Sequence, residues 1–570
     1  MTSYEDKPWL KSYKLGPFKL KHTIDYPQKP LFSILDEAAE KFPGKDAYDY
    51  LGSRMKYREL KNKADSLATA LSNLGTGKGH KVIVFLPTCP QFVISDFAIL
   101  KTGATLVPCS PILKARELMH QAKESSAKTI ICLDRHLDLV NSIKDDTHLQ
   151  NIIITSISDY SPKERERPEE SPGTLHIRRL IQDNEPAPPA VEINPIEDLA
   201  ILAFTGGSTG IPKGVMITHF QRLSNVLQGL PWMMAPLPAY RGSASSLLAI
   251  PIFHAMGHYL MQSSMYWGLK MFLVPNPRDT DRIVALMNEY RPFLLFMVPT
   301  QLLKLAQPDV MIRRMPVMVM SGAAPLPVDV ARRLEQKTKM PVSEGYGLTE
   351  TGPCTHINIS AFSKVTRFAT STRPGVGLPV PDTEVKVVDP GFLKEVPFGE
   401  VGEIWVRGPQ IMKGYWPEPG SGLEKDGWLR TGDLGKMDND GYFHVVDRIK
   451  DMINVSGMKV YSIELDEILF QHPAVEGAVT IGLPDPERPG SERVKAFIRL
   501  RPDFKGKISR QDIVDYCAEK MAPYAVPKFL EFRDDIPMTV TEKIFKRALR
   551  EEEIRKMKDI GSLPVVAPGK

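Results

Sequence analysis

At 570 residues, with 42% hydrophobic and 25% charged side chains, the chain is long enough for two to four folding units and lies in the ordinary globular range. Its 73 basic and 68 acidic residues leave a formal charge of only +5, too small a surplus to point to nucleic acid, though a modest positive field suits an anionic substrate. The five cysteines, Cys89, Cys109, Cys132, Cys354 and Cys517, are scattered with no CxxC pair, which argues against a disulfide framework or zinc site and for the reducing cytoplasm.

The amino terminus, MTSYEDKPWLKSYK, lacks the apolar core of a signal peptide, and no run of about 18 apolar residues predicts a membrane span. Peripheral membrane contact is compatible with this. Residues 57–74 carry Leu60, Ala64, Leu67, Ala68, Leu71 and Leu74 at helical spacing, with Gly75 as a stop signal. A short apolar run at 81–87 closed by proline predicts a buried strand. A helix over 90–101, a strand at 105–108, a helix near 115–126 and a strand at 129–133 complete a βαβαβ rhythm, the pattern of a largely parallel sheet covered by helices. Residues 156–192, rich in proline and charge, read as an exposed connection. Strand and helix signals resume from about 198 to beyond 340, and 375–446 becomes rich in short strands and glycine turns. After the polar segment 447–451, a helix at 460–470, strands at 475–483 and 494–500 and a helix at 510–520 predict a small α+β unit. The tail past about 556 has little to bury and is expected to fray. The fold class expected is α/β: a large N-terminal domain (1–447) of mostly parallel βαβ subdomains plus a β-rich subdomain, and a small mobile α+β C-terminal domain (448–570).

The most informative stretch runs from an apolar strand through Thr205-Gly-Gly-Ser-Thr-Gly-Ile-Pro-Lys-Gly214 into a second apolar strand. Four glycines let backbone N–H groups approach a ligand, Thr205, Ser208 and Thr209 add hydroxyl donors, and Lys213 adds a compact charge. These parts suit a polyphosphate; composition alone equally allows a ligand-free glycine-serine turn. The Walker pattern fails, because no glycine precedes Lys213 and no Ser or Thr follows it. Gly206 to Gly210 satisfies GxSxG, but a nucleophile elbow needs a helix next, and Pro212 with a β-branched exit strand denies one to Ser208.

The loop resembles the signature loop of the acyl-adenylate-forming superfamily: acyl-CoA synthetases, aryl-CoA ligases, luciferases and peptide-synthetase adenylation domains. Further motifs stand in the family's order: Pro251-Ile-Phe-His-Ala-Met-Gly257, Ser321-Gly-Ala-Ala-Pro-Leu-Pro327, Glu344-Gly-Tyr-Gly-Leu-Thr-Glu350, Gly427-Trp-Leu-Arg-Thr-Gly-Asp-Leu434, Asp447-Arg-Ile-Lys450 with Ser456-Gly457, and Glu542-Lys543. The resemblance spans roughly residues 30–550.

It implies an ATP-dependent carboxylic acid:CoA ligase that passes through an acyl-AMP, with a medium- or long-chain fatty acid as the expected substrate. The alternatives are an aryl or branched acid:CoA ligase and a stand-alone adenylating enzyme that loads a carrier protein. ATP, Mg²⁺ and CoA are the implied cofactors and co-substrates. Thr205, Gly206, Gly207, Ser208, Thr209, Gly210 and Lys213 would cradle the β- and γ-phosphates, Thr349 the α-phosphate, and Glu350 the metal. Gly322, Ala323 and Ala324 would lie against adenine beside Glu344 and the ring of Tyr346. Asp433 would accept the ribose hydroxyls, with Arg448 reaching ribose or phosphate. His254 is the implied gate between acyl pocket and thiol channel, with Met256 and Gly347 lining the pocket and Trp232 or Trp267 as further candidates. Lys543 would neutralise carboxylate and α-phosphate, Lys450 would be the hinge, and Gly457 would let the pantetheine arm pass. One departure stands out. Thr541-Glu-Lys543 occupies a place where Ser/Thr-Gly-Lys is common, which makes Lys546 a competitor for the catalytic lysine.

Overall fold

Period-two alternation along the strand Lys81–Phe85 sends Val82 and Val84 into one hydrophobic cluster and Ile83 and Phe85 into another on the opposite face. That strand lies inside a nine-stranded sheet of the computed structural model, which describes residues 3–164, 171–205, 212–314, 316–339, 341–360, 362, 373–538 and 544–560, the side chains of the last three excepted. Strands Thr105–Pro108, Lys81–Phe85, Thr129–Leu133 and Asn151–Thr155 run parallel, as the βαβαβ rhythm predicts. The helices Tyr57–Asn73, Pro90–Lys101 and Ala115–Ser125 fall where the periodicity puts them.

A second nine-stranded sheet is built around the parallel strands Ser245–Leu248, Lys270–Leu273, Leu294–Met297, Met318–Ser321 and Val342–Tyr346. The two sheets sandwich a shared layer of helices, since Val82 and Leu106 of one and Leu248, Leu273 and Phe296 of the other join a single cluster. Pro90–Lys101 lies in that layer with every residue buried. Phe92, Val93, Ile94, Phe97, Ile99 and Leu100 account for this, each worth about 2 kcal/mol of burial. Outer helices cover the remaining faces through the other two clusters. Trp232 and Trp267 are both core residues, at 4% and 6% exposure.

The β-rich region is a four-stranded antiparallel sheet of Glu384–Val388, Gly402–Arg407, Leu429–Met437 and Phe443–Arg448. Beyond it, Val475–Pro484, Glu492–Leu500 and Phe529–Phe532 form a small sheet. Ser462–Phe470 and Arg510–Lys520 cover one face of it and Lys546–Ile560 the other. Lys495, buried in this unit, pairs with Glu531 at 2.7 Å and with the fully buried Glu553 at 2.6 Å, tying the last helix to the sheet.

Two expectations need correction. Within 156–192, Leu175–His176 adds a parallel strand beside Asn151–Thr155, and Ile177–Gln182 is a helix. Ile177 and Ile181, one helical turn apart, are buried and give this otherwise polar stretch something to pack. The tail expected to fray from about 556 is helical as far as Ile560, and residues 561–570 lie outside the described residues.

Candidate active site

The glycine-rich segment follows the strand Leu199–Phe204 and precedes Gly214–Thr218, and these two antiparallel strands pair through Phe204 and Gly214. Its neck is closed by the N–H of Thr205 donating to the carbonyl of Lys213 at 3.0 Å. Gly206, Gly207, Ser208, Thr209 and Gly210 lie outside the described residues.

The segment after Ile411 binds this neck to the turn that carries Glu350. The N–H of Met412 donates to the carbonyl of Glu350 at 2.9 Å, and that of Trp416 to Gly214 at 2.7 Å. Between them stands Tyr415, whose hydroxyl donates to Oε1 of Glu350 at 2.9 Å and whose ring has the Lys213 ammonium 4.9 Å from its centre. One aromatic ring thus holds a cation on its face and a carboxylate on its rim. The sequence reading missed Tyr415; the only local hint is an aromatic pair after Gly414.

Ser321 and Glu344 are register partners at the C-terminal ends of adjacent parallel strands, the edge at which open α/β sheets bind ligands. A Cβ on Gly322 would stand 2.7 Å from the Phe296 ring and 3.3 Å from the carbonyl of Gly345, so a side chain here would have to displace the Phe296 ring. Ala323 follows with φ of 71°, a left-handed conformation that costs an alanine about 1–2 kcal/mol. Ala324 comes next in the same turn, partly exposed. Gly347 is equally constrained, because a Cβ there would meet the carbonyl of Pro353 at 1.7 Å.

Glu344 is partly exposed, yet burial of its carboxyl raises its pKa to about 8, with the charge of Glu467 adding to the effect. Between pH 4.5 and 8 the folded chain therefore keeps a proton that the unfolded chain has released. Stability then falls as pH rises through that window. Glu344→Gln is expected to change the melting temperature little at pH 5 and to raise it by about 2 °C or more at pH 9. An equal shift at both pH values would contradict the assignment.

Asp433, 3% exposed, accepts from the Tyr346 hydroxyl at 2.8 Å through Oδ2 and faces Nε of Arg448 at 3.0 Å through Oδ1. Three residues singled out in separate motifs therefore meet at one carboxylate. His254 immediately precedes the helix Ala255–Tyr266, and Met256 in its first turn is buried. Thr349 and Glu350 share the short turn Thr349–Thr351. Lys450 is exposed just past Arg448, and Gly457 stands at the tip of the hairpin Ile453–Val460 with open space around it. Lys543 lies outside the described residues. Its competitor Lys546 is engaged, donating to Oγ of Ser462 at 2.7 Å and to Asp466 at 3.0 Å.

The family model described as AMP-binding enzyme matches residues 35–416, and that of the AMP-binding enzyme C-terminal domain matches 464–543. The chain is 35% identical to a long-chain-fatty-acid–CoA ligase of Bacillus subtilis, over 96% of this chain and 98% of that one. It is 30% identical to the ligase of the same name from Haemophilus influenzae, over 97% and 99%. Among solved structures it is similar to the anthranilate CoA ligase AuaEII in complex with anthranoyl-AMP (TM-score 0.81, 27% identity, 96% of this chain and 100% of that one). ATP-bound MatB from Rhodopseudomonas palustris gives a TM-score of 0.81 at 26% identity, over 94% and 100%.

Proposed function

Because the chain belongs to the AMP-binding enzyme family, we propose that it is an acyl-CoA synthetase that joins a medium- or long-chain fatty acid to CoA at the expense of ATP. In the first step a carboxylate oxygen attacks the α-phosphorus, the bond to the bridging oxygen breaks, and pyrophosphate leaves. In the second the CoA sulfur attacks the acyl carbonyl carbon, the thiol proton is lost, and AMP departs with the oxygen.

The observation that carries this reading is the meeting of Lys213 and Glu350 on Tyr415 beside the neck of the glycine loop, with Asp433, Tyr346 and Arg448 joined nearby. Two anions must approach each other, so fixed donors and cations are needed around the phosphates. The loop 205–213 supplies N–H groups, hydroxyls and Lys213. Thr349 serves the α-phosphate. Glu350 is a partly exposed carboxylate with the Tyr415 hydroxyl beside it, a hard oxygen ligand that would hold Mg²⁺, whose charge would offset that of the phosphates. Asp433 takes the ribose hydroxyls, the turn Gly322 to Ala324 and Tyr346 take adenine, and Glu344, protonated at neutral pH, offers a hydrogen-bond donor at its edge. His254 separates the acid from the thiol channel, with Met256 and Gly347 on the acyl side.

Residues beyond 447 act as a mobile domain that turns about Lys450, bringing Lys543 in for the first step and Gly457 in for the second. Among the described residues no helix is long and apolar enough to cross a membrane; we place the reaction in the cytoplasm, with fatty acid, ATP and CoA as its partners. The aliphatic preference rests on the two ligases named for long-chain fatty acids. Purified protein with ATP, Mg²⁺ and CoA, tested against acids of two to eighteen carbons and benzoates, is expected to respond best to chains of about eight carbons or more. Flat background rates, or a preference for benzoates, would overturn the substrate assignment.

A further inference from the structure

The helix Pro90–Lys101, buried along its whole length, carries a carboxylate, Asp96, that is 0% exposed. Its Oδ2 accepts from Nε2 of His258 at 2.9 Å and from the side-chain amide of Gln262 at 3.1 Å. The carbonyl of that amide accepts from Nε of Arg222 at 2.7 Å, and Arg222 is 1% exposed. Burial lowers the pKa of His258, and Gln262 stands between the Asp96 carboxyl and the Arg222 guanidinium, bonded to both. A buried guanidinium persists only where its N–H groups are used. Arg222 uses its other two nitrogens on backbone, donating from Nη1 to the carbonyl of Gly352 and from Nη2 to that of Ala255 at 3.4 Å.

Those two carbonyls belong to different halves of the site. Gly352 ends the turn that carries Thr349 and Glu350. It has φ of 88°, and a Cβ there would stand 2.9 Å from the carbonyl of Gln410, so the backbone at this point packs closely on its neighbours. Ala255 is the residue after His254, in the first turn of the gate helix. A planar fork can hold two such carbonyls at a fixed spacing, which a lysine ammonium cannot do while also meeting Gln262. We propose that Arg222 is a positioning residue that sets the distance between the Glu350 turn on the nucleotide side and His254 on the acyl side. This rests on the reading of Glu350 as the metal carboxylate.

Arg222→Lys keeps the charge opposite Asp96 and releases one carbonyl. It is expected to lower kcat for acyl-AMP formation about 10- to 100-fold, the usual effect of a shift of about 1 Å at a reacting centre. The half-saturating Mg²⁺ concentration should rise at least about 3-fold, which loss of fold alone does not produce in the surviving folded fraction. Glu350→Gln is measured beside it. A rise in both variants supports the proposal. A rise in Glu350→Gln alone overturns the role of Arg222 and leaves the metal reading intact, and no rise in either removes both. Should Arg222→Lys fail to fold, Gln262→Met removes the bond that orients the guanidinium while sparing both carbonyl contacts. A smaller rise in its Mg²⁺ requirement is expected, and an unchanged requirement overturns the proposal.

Discussion

Replacing Lys543 with alanine is expected to slow acyl-AMP formation by about 1,000-fold, the scale of losing a fixed donor at a developing charge, while transfer from supplied acyl-AMP to CoA stays within about 3-fold of the parent enzyme. The first step drives a carboxylate against a phosphate, and an ammonium between them offsets both charges. The second expels AMP from an uncharged carbonyl and has no such need. One observation weighs against its neighbour. Lys546 is held by Ser462 and Asp466, and Ser462 in turn donates to Asp447 at the end of the β-rich region. Half-reaction rates for Lys543→Ala and Lys546→Met decide the matter. Equal loss of both steps in Lys543→Ala, or selective loss of the first step only in Lys546→Met, would reassign the role.

Asp433→Ala should weaken ATP about 100-fold and leave the apparent affinity for the acid within about 3-fold. A carboxylate accepting from both ribose hydroxyls makes two charge-assisted hydrogen bonds at roughly 1.5 kcal/mol each, and 100-fold corresponds to about 2.7 kcal/mol. The substitution also frees the Tyr346 hydroxyl and the Arg448 guanidinium, which now meet at this carboxylate. Asp433→Asn keeps the shape with half the acceptor capacity and should fall between the two, near 10-fold. Equilibrium binding of ATP to the three proteins checks this; unchanged affinity in Asp433→Ala would place the ribose elsewhere.

Much of this was legible in the chain itself because the informative signals are local. The strand at 105–108 and the helix at 510–520 are set by runs whose periodicity is complete within a few turns, and the structure places Thr105–Pro108 and Arg510–Lys520 there. Glycine at 347 marks a place where backbone meets backbone, and glycine at 322 one where backbone meets the Phe296 ring, so the motif announces the geometry. What stayed hidden is made between distant positions. Tyr415 matters because strand pairing carries it to Glu350 and Lys213, and nothing adjacent in sequence says so. Arg222 drew no notice in the sequence, because its bonds to Gln262 and Gly352, and through Gln262 its link to Asp96, form only when distant segments pack. The strand at Leu175–His176 was lost for the opposite reason, two apolar turns being outweighed by the charged residues around them.

The two-step account is tested most directly by following the α-phosphate of ATP. With α-labelled ATP, Mg²⁺ and a sixteen-carbon fatty acid but no CoA, the enzyme should release pyrophosphate and accumulate about one labelled acyl-AMP per active site. Adding CoA should then convert that label to free AMP as acyl-CoA appears in equal amount. Labelled ADP as the product, or an acyl-AMP that CoA leaves untouched, would contradict it.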